Sequence, residues 1–298
     1  MEPSPFAVVI PTRDRADVLG RCLDAVLAQS RPAAEVIVVN DGSSDGTSAL
    51  LASPPYAERC VIVDGPGAGV SSARNLGLTR ATADWVVFLD DDDLPLPGWL
   101  HTLGELVADD VGIVCAGLYL VTTRGRQLRV PAPIAEGGCG LFLPGAFAAR
   151  RELLESVGGY LDGLSFAENS ELRMRLVPEC HRRGLRIATT EVPVLEMFRD
   201  KPRRSVQGRR DALLQFLGAH DAAFRADPRR RARLLCVAGV DSWRAGDRGI
   251  ARRLFWQAAR ARPFELRTLA RLGASLVPPL GDRIWRRDVE PGANGSDQ

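Results

Sequence analysis

The chain has 298 residues, 45% of them hydrophobic and 26% charged, and a formal net charge of +2. This is the composition of a globular protein and excludes a disordered, fibrous or disulfide-dense chain. No apolar run reaches the roughly 18 residues of a spanning helix, and Met1-Glu2-Pro3-Ser4-Pro5 lacks the basic and apolar character of a secretory leader, so the expected location is the cytoplasm. In chain order, Phe6–Ile10, closed by Pro11, predicts a first strand. Ala16–Gln29 carries Ala16, Leu19, Leu23, Val26 and Leu27 at helical spacing. Val36–Val39 predicts a second strand running into the turn-forming Asn40-Asp41-Gly42-Ser43-Ser44-Asp45-Gly46, with a helix from near Thr47. Val61–Val63, Val70–Thr79 and Trp85–Leu89 follow as strand, helix and strand. Alternation at this spacing predicts an α/β fold with a mostly parallel, Rossmann-like sheet covered on both faces.

From Gly98 the pattern changes. Trp99–Ala108 reads as helix, Val111–Thr122 as strand and 128–148 as loop, with helices over Arg150–Val157 and Ser170–Arg183 and an extended run over Ile187–Phe198. Beyond Ser205 the pattern is helical over 206–225, 228–245, 247–261 and 264–276, with Pro263 and Pro278-Pro279 as punctuation. The expected organisation is an α/β domain over 1–200, a basic helical extension over 201–287 and a disordered tail over 288–298. Charge supports the division: Arg199 to Arg287 holds 22 Lys/Arg against 8 Asp/Glu, while residues 1–198 hold 17 against 26. The six cysteines, Cys22, Cys60, Cys115, Cys139, Cys180 and Cys236, are scattered without a CxxC pair and read as reduced. His101, His181 and His220 lie too far apart to suggest a zinc site.

The most informative segment is Trp85-Val86-Val87-Phe88-Leu89 running into Asp90-Asp91-Asp92-Asp93. Four like charges at a strand end repel one another and require a positive partner. A hard divalent cation shared with a substrate phosphate is one such partner; a solvated acidic turn is the alternative. Ligands of open α/β sheets bind at the carboxyl ends of the strands. Pro11-Thr12-Arg13-Asp14 and Asn40-Asp41 occupy two more such ends. Gly65-Pro66-Gly67-Ala68-Gly69 sits between strand and helix as a dinucleotide fingerprint would, but its glycine spacing and its position after a later strand argue against that role. No nucleic-acid motif appears, and the arginines of 229–233 lack interleaved aromatics.

Taken together, Val8-Val9-Ile10-Pro11-Thr12-Arg13-Asp14, Glu35-Val36-Ile37-Val38-Val39-Asn40-Asp41-Gly42-Ser43, Ala73-Arg74-Asn75-Leu76-Gly77, Phe88-Leu89-Asp90-Asp91-Asp92 and Val157-Gly158-Gly159-Tyr160 resemble a family 2 glycosyltransferase of the GT-A fold over residues 6–200. The resemblance implies a nucleoside pocket lined by Pro11, Thr12, Arg13 and Asp41, with Arg74 near the diphosphate. It implies that Asp90, Asp91 and Asp92 handle ribose and metal, with Asp90 and Asp92 as the ligands of Mn2+ or Mg2+. The implied donor is a nucleotide-sugar, a UDP-sugar first, and the implied partner is a glycan, lipid-linked or small-molecule acceptor. The processive members' spanning helices are absent from this sequence, so transfer of a single sugar is expected.

One departure matters. The family's usual Glu-Asp near the acceptor is here Glu168-Asn169. An amide is not a useful proton acceptor, so the base falls to Glu168 or to Glu171, with Glu168 preferred because it precedes the expected helix. Poor catalysis is the third reading, which makes a nucleotide-sugar-binding scaffold the alternative function; a nucleotidyltransferase is a further one. Trp99 is read either as a sugar platform or as a core residue. Leu266–Val277 and Arg283-Ile284-Trp285-Arg286-Arg287 mix apolar residues with arginine, which suits either a packed bundle or peripheral membrane contact through a surface tryptophan.

Overall fold

The computed structural model describes residues 4–131, 141–164, 166–199 and 205–285. Cys139, the 132–140 part of the expected loop and the 288–298 tail lie outside the described residues. The chain divides into two compact units, the first spanning 1–164 and 168–202 and the second chiefly 203 onward.

The first unit is built on one sheet. Strands β1 (Phe6–Thr12), β2 (Glu35–Asn40), β3 (Val61–Asp64) and β4 (Trp85–Phe88) run parallel in the order β3-β2-β1-β4. The sheet continues through β8 (Phe147–Arg150), β6 (Val111–Thr122), β9 (Arg186–Phe198) and β5 (Leu94–Pro95), with β7 (Gly125–Arg129) paired to β6. Here the pairing is mixed: β6 and β9 are parallel, whereas β8 is antiparallel to both β4 and β6, as is β5 to β9. The parallel half thus follows the expected pattern; in the second half β6 and β9 lie where a strand and an extended run are expected, and the pairing is mixed. β7 and β8 straddle the two ends of the 128–148 stretch expected to be loop. β8 is only Phe147-Ala148-Ala149-Arg150, too short to show a period, and is a strand because β4 and β6 flank it.

Alternation along the strands divides the core into two layers. Phe6, Val8, Ile10, Val38, Val87 and Leu89 face one layer; Ala7, Val9, Ile37, Val39, Val86 and Phe88 face the other. Helix α1 (Leu19–Leu27) seals the first with Leu19, Cys22, Leu23 and Val26. It starts three residues later than expected because Ala16 donates its amide to the Asp45 carboxylate and Arg15 donates its own to Thr47 Oγ1, which holds 13–16 as a loop. Short helices α2 (Thr47–Leu51) and α3 (Tyr56–Arg59) lead to β3.

On the opposite face lies α4 (Val70–Arg80), where a Cβ at Gly77 would collide with Val9 Cγ1 of β1. Gly77→Ala is therefore expected to destabilise by about 1–3 kcal/mol from overpacking, despite a helix-propensity gain of about 1 kcal/mol; urea unfolding measures the difference. The remaining helices of this unit are α5 (Trp99–Gly104), α6 (Arg151–Ser156) and α7 (Glu168–Arg182).

The second unit is helical: α8 (Val206–Ala219), α9 (Asp221–Ala226), α10 (Pro228–Arg244), α11 (Arg248–Ala261), α12 (Leu266–Leu276) and α13 (Pro278–Trp285). Ser205 caps α8 through the Gly208 amide, and Asp227 caps α10 through that of Arg230, with Pro228 opening the first turn. The turn joining α10 to α11 places Gly246 at φ 89°, a left-handed conformation suited to glycine. Helix α13 was not expected, since Pro278-Pro279 reads as a stop; prolines are tolerated in a first helical turn, and these two open the helix. Trp285 is buried, with its ring 5.0 Å from both Phe255 and Trp243. The reading of Trp285 as a surface membrane anchor is thereby corrected to a bundle core residue. No helix of the described residues is long and apolar enough to cross a membrane.

Candidate active site

The carboxyl ends of β1, β2 and β4 meet where the chain, having run β1-β2-β3 in one direction, crosses back to the other side of β1. Such a switch point opens a crevice by topology alone. Thr12 at the end of β1 donates its hydroxyl to Asp91 Oδ2 at 2.8 Å, both groups being buried, which ties the first strand to the acidic run. Arg15 Nε lies 4.0 Å from the same oxygen. Around the rim, Asp14 accepts from the Ser44 amide at 2.7 Å and its hydroxyl at 3.1 Å. Asp45 accepts from the Thr47 hydroxyl and from the Thr47 and Ala16 amides. These bonds hold the carboxyl groups of Asp14 and Asp45 below the ordinary carboxylate range. The loops after β1 and β2 are thus fixed to each other before any ligand arrives.

Asp41 directly follows β2, at the carboxyl end of that strand. Its carboxylate is buried and accepts three consecutive backbone amides, from Gly67 at 2.9 Å, Ala68 at 3.2 Å and Gly69 at 2.7 Å. Gly65 belongs to the same cradle, since a Cβ there would lie 2.8 Å from Asp41 Oδ1. Arg13 donates to the Gly67 carbonyl at 3.2 Å and so closes over the same loop. Pro11 lies in β1 and is buried.

Arg74, on α4, is the cation that the strand-end carboxylates require. Only 1% exposed, it donates from Nη2 to Asp90 Oδ1 at 2.6 Å and lies 3.5 Å through Nη1 from Glu168 Oε1, with Tyr160 beneath its plane at 4.9 Å. Burial works against its charge, but Tyr160, Asp90 and Glu168 outweigh that and raise the guanidinium above its ordinary value. Arg74 thus links two carboxylates from its place on α4. Asp90 is likewise engaged through Oδ1. Asp92 is partly buried, and its carbonyl accepts from Arg21 at 3.2 Å. Among the described residues no three His, Cys, Asp or Glu side chains gather as a metal cage. The all-oxygen donor set fits a hard cation that takes most of its ligands from phosphate and water.

On the far side of Arg74, α7 begins at Glu168 rather than near Ser170, so Glu168 occupies the first helical turn and does not precede the helix. Glu171 is buried and paired through both oxygens with Arg175, at 2.6 Å and 2.5 Å. Arg175 also donates to the carbonyls of Val157 and Gly159, so the Glu171–Arg175 pair anchors the 157–159 turn. Asn169 accepts the Tyr160 hydroxyl at 2.8 Å. Trp99 is fully buried and donates Nε1 to the Gly145 carbonyl at 2.6 Å, which settles its two readings in favour of the core.

Three residues that lie within the motifs received no role from the sequence: Asn75, Asp93 and Tyr160. Asn75 clamps the Gly159-Tyr160 turn by exchanging two hydrogen bonds with the Tyr160 backbone, at 2.7 Å and 2.8 Å. Gly159 is at φ 64° and has no room for a Cβ against the Asn75 amide. Asp93 is buried and accepts the Phe198 amide at 3.1 Å, tying the acidic run to the end of β9; burial and the Asp90 charge push its carboxyl well above the usual range. Tyr160 supports Arg74 and orients Asn169 at once. The Gly-Gly pair at 158–159 is the signal for the first of these, whereas the roles of Asp93 and Tyr160 depend on partners distant in sequence.

With this geometry established, comparison places the protein in a class. The fold of the mixed sheet with its flanking helices is that of GT-A glycosyltransferases. The Staphylococcus aureus TarS 1–349 structure in complex with UDP-GlcNAc superposes with a TM-score of 0.58 at 16% identity, covering 93% of this chain and 80% of that one. The Pyrobaculum calidifontis mannosyltransferase PcManGT, in complex with GDP-Man and Mn2+, gives 0.56 at 23% identity, covering 97% and 89%. The sequence model for glycosyl transferase family 2 matches residues 7–158, and the chain belongs to that family. Among its relatives, the succinoglycan biosynthesis protein ExoO of Rhizobium meliloti is 36% identical over 124 residues, 41% of this chain. Glycosyltransferase GlyA of Streptococcus pneumoniae is 29% identical over 115 residues, 38% of this chain. The match spans 35% of ExoO and 16% of GlyA.

Proposed function

We propose that the chain transfers a single sugar, with inversion, from a nucleotide-sugar to a hydroxyl acceptor on a glycan, a lipid-linked saccharide or a small molecule. The observation that carries this reading is the Arg74 bridge, which brings Glu168 within one guanidinium of the carboxylates ending β4. A candidate base and the candidate donor-binding run therefore share one wall of the crevice. The donor class is supported by the sugar nucleotides bound to the two structural neighbours, UDP-GlcNAc in TarS and GDP-Man with Mn2+ in PcManGT.

In this reading Asp92, together with Asp90, would hold Mn2+ or Mg2+ against the donor diphosphate, while Thr12 fixes Asp91 and Arg15 adds positive charge nearby. A bound divalent cation there offsets the negative charge that develops on the leaving diphosphate. Glu168 takes the proton of the acceptor hydroxyl as its oxygen attacks the anomeric carbon from the face opposite the diphosphate. The anomeric C–O bond breaks, and the nucleoside diphosphate leaves with the bonding electrons. Asn169 holds the Tyr160 hydroxyl and takes no proton.

The test is a panel of nucleotide-sugars, with and without Mn2+, read by nucleoside diphosphate release and by calorimetric binding of UDP. Metal-dependent release from one donor is the expected result. Tight binding without release from any donor would move the assignment to a nucleotide-sugar-binding scaffold, and neither binding nor release would end it. Asp92→Ala is expected to weaken donor binding in Mn2+ by tenfold or more, about 1.4 kcal/mol or above, and to leave the much weaker metal-free binding unchanged.

A further inference from the structure

The helical unit turns one apolar face outward. On α12, Leu266, Leu269, Ala270, Gly273 and Leu276 recur at three- and four-residue steps, and all are exposed. Phe264 just before the helix is 94% exposed and Leu266 is 81% exposed; on α13, Leu280 and Ile284 continue the set one turn apart. Large apolar side chains standing clear of the surface in this way mark an interaction site. From residue 260 to residue 285 the sequence holds five arginines, Arg260, Arg262, Arg267, Arg271 and Arg283, against two acids, Glu265 and Asp282. Both acids are engaged internally. Glu265 accepts the Thr268 hydroxyl at 3.0 Å, while Asp282 accepts from Trp243 at 3.0 Å and Arg248 at 2.8 Å. Glu265 also pairs with Arg262 at 3.9 Å, so the exposed charges beside the apolar stripe, Arg260, Arg267, Arg271 and Arg283, are of one sign.

We propose that α12 and α13 dock this unit onto an anionic lipid surface, with Phe264, Leu266, Leu269, Leu276, Leu280 and Ile284 entering the acyl boundary and the arginines meeting headgroup phosphates. An apolar stripe flanked by arginine is the pattern of helices that lie in a membrane interface, and each arginine near such a surface adds roughly 1 kcal/mol of attraction. A Phe as exposed as Phe264 projects from the surface, which suits insertion into lipid better than the flat core of a protein interface. Charge complementarity selects anionic over neutral lipid. The docking is independent of the catalytic reading and uses none of the residues placed at the crevice.

The full chain is mixed with vesicles of phosphatidylcholine alone or with one quarter phosphatidylglycerol, and bound protein is measured by sedimentation. Binding to the anionic vesicles only, falling severalfold as salt rises from 50 to 300 mM, is expected. Leu266→Asp with Leu276→Asp should reduce binding more than tenfold, and Arg267→Glu with Arg283→Glu, which leaves the apolar face intact, should do the same; circular dichroism checks that both variants keep their helices. The proposal is overturned if the chain ignores anionic vesicles or if both double variants bind as the parent does. It is also overturned if light scattering shows a dimer that Leu266→Asp/Leu276→Asp dissociates while the parent binds no vesicles, since a second copy then covers the face.

Discussion

Glu168→Gln is expected to lower kcat for transfer by about 10²–10⁴-fold, the usual worth of a positioned general base, while changing the donor KM by less than about threefold. The amide keeps the size of the side chain and can still accept from Arg74, so the wall of the crevice stays in place and only the proton acceptor is lost. Steady-state kinetics with the donor identified by the panel separates the two parameters. Asn169→Asp is the companion measurement. If Glu168 is the base, an added carboxylate at 169 leaves the Glu168→Gln defect in place; a variant restored to parental turnover by Asn169→Asp would assign the proton transfer to position 169. Full activity in Glu168→Gln alone would remove Glu168 from the chemistry.

Arg74→Met is expected to cost about 3–5 kcal/mol of folding stability, because taking one partner from a buried ion pair leaves uncompensated charge behind. Asp90 and Glu168 would then face each other across an apolar side chain, over a Tyr160 ring that has lost its cation. Arg74→Lys should recover part of the stability, since a single ammonium keeps the charge, but not the two-sided grip of a planar guanidinium. Urea unfolding orders the three proteins as parent, Arg74→Lys, Arg74→Met. Equal stability of all three would mean that the Arg74 bridge contributes nothing to the fold.

Some of this was legible in the chain because the signals are local. The parallel half of the sheet follows from short apolar runs punctuated by turn residues. Val111–Thr122 was read to the residue because a long β-rich run carries its own evidence. β8 was invisible, since four residues are a strand only between the neighbours that flank them. The candidate site divides in the same way. That Asp90–Asp93 ends a strand was readable, as was the departure at Asn169. What each carboxylate does was not, because function there depends on partners far away in sequence: Asp90 is spoken for by Arg74, Asp91 by Thr12, Asp93 by the Phe198 amide and Glu171 by Arg175. A sequence shows an excess of charge without showing how it is distributed. Trp285 illustrates this from the apolar side: its arginine neighbours suggested an interface, while its ring stacks inside the bundle.

The grip of Asp41 on the amides of Gly67, Ala68 and Gly69 has a consequence for how this crevice handles anions. Successive backbone N–H groups turned toward one point form a concavity that elsewhere receives phosphate. Here the protein's own carboxylate fills it, as a tethered inhibitor would fill a receptor. A free phosphate group entering that loop must evict a side chain held at high effective concentration by the short chain from β2. The loop that most looks like a phosphate cradle is thus self-occupied, and a ligand that draws Asp41 toward itself releases three amide donors in the same movement.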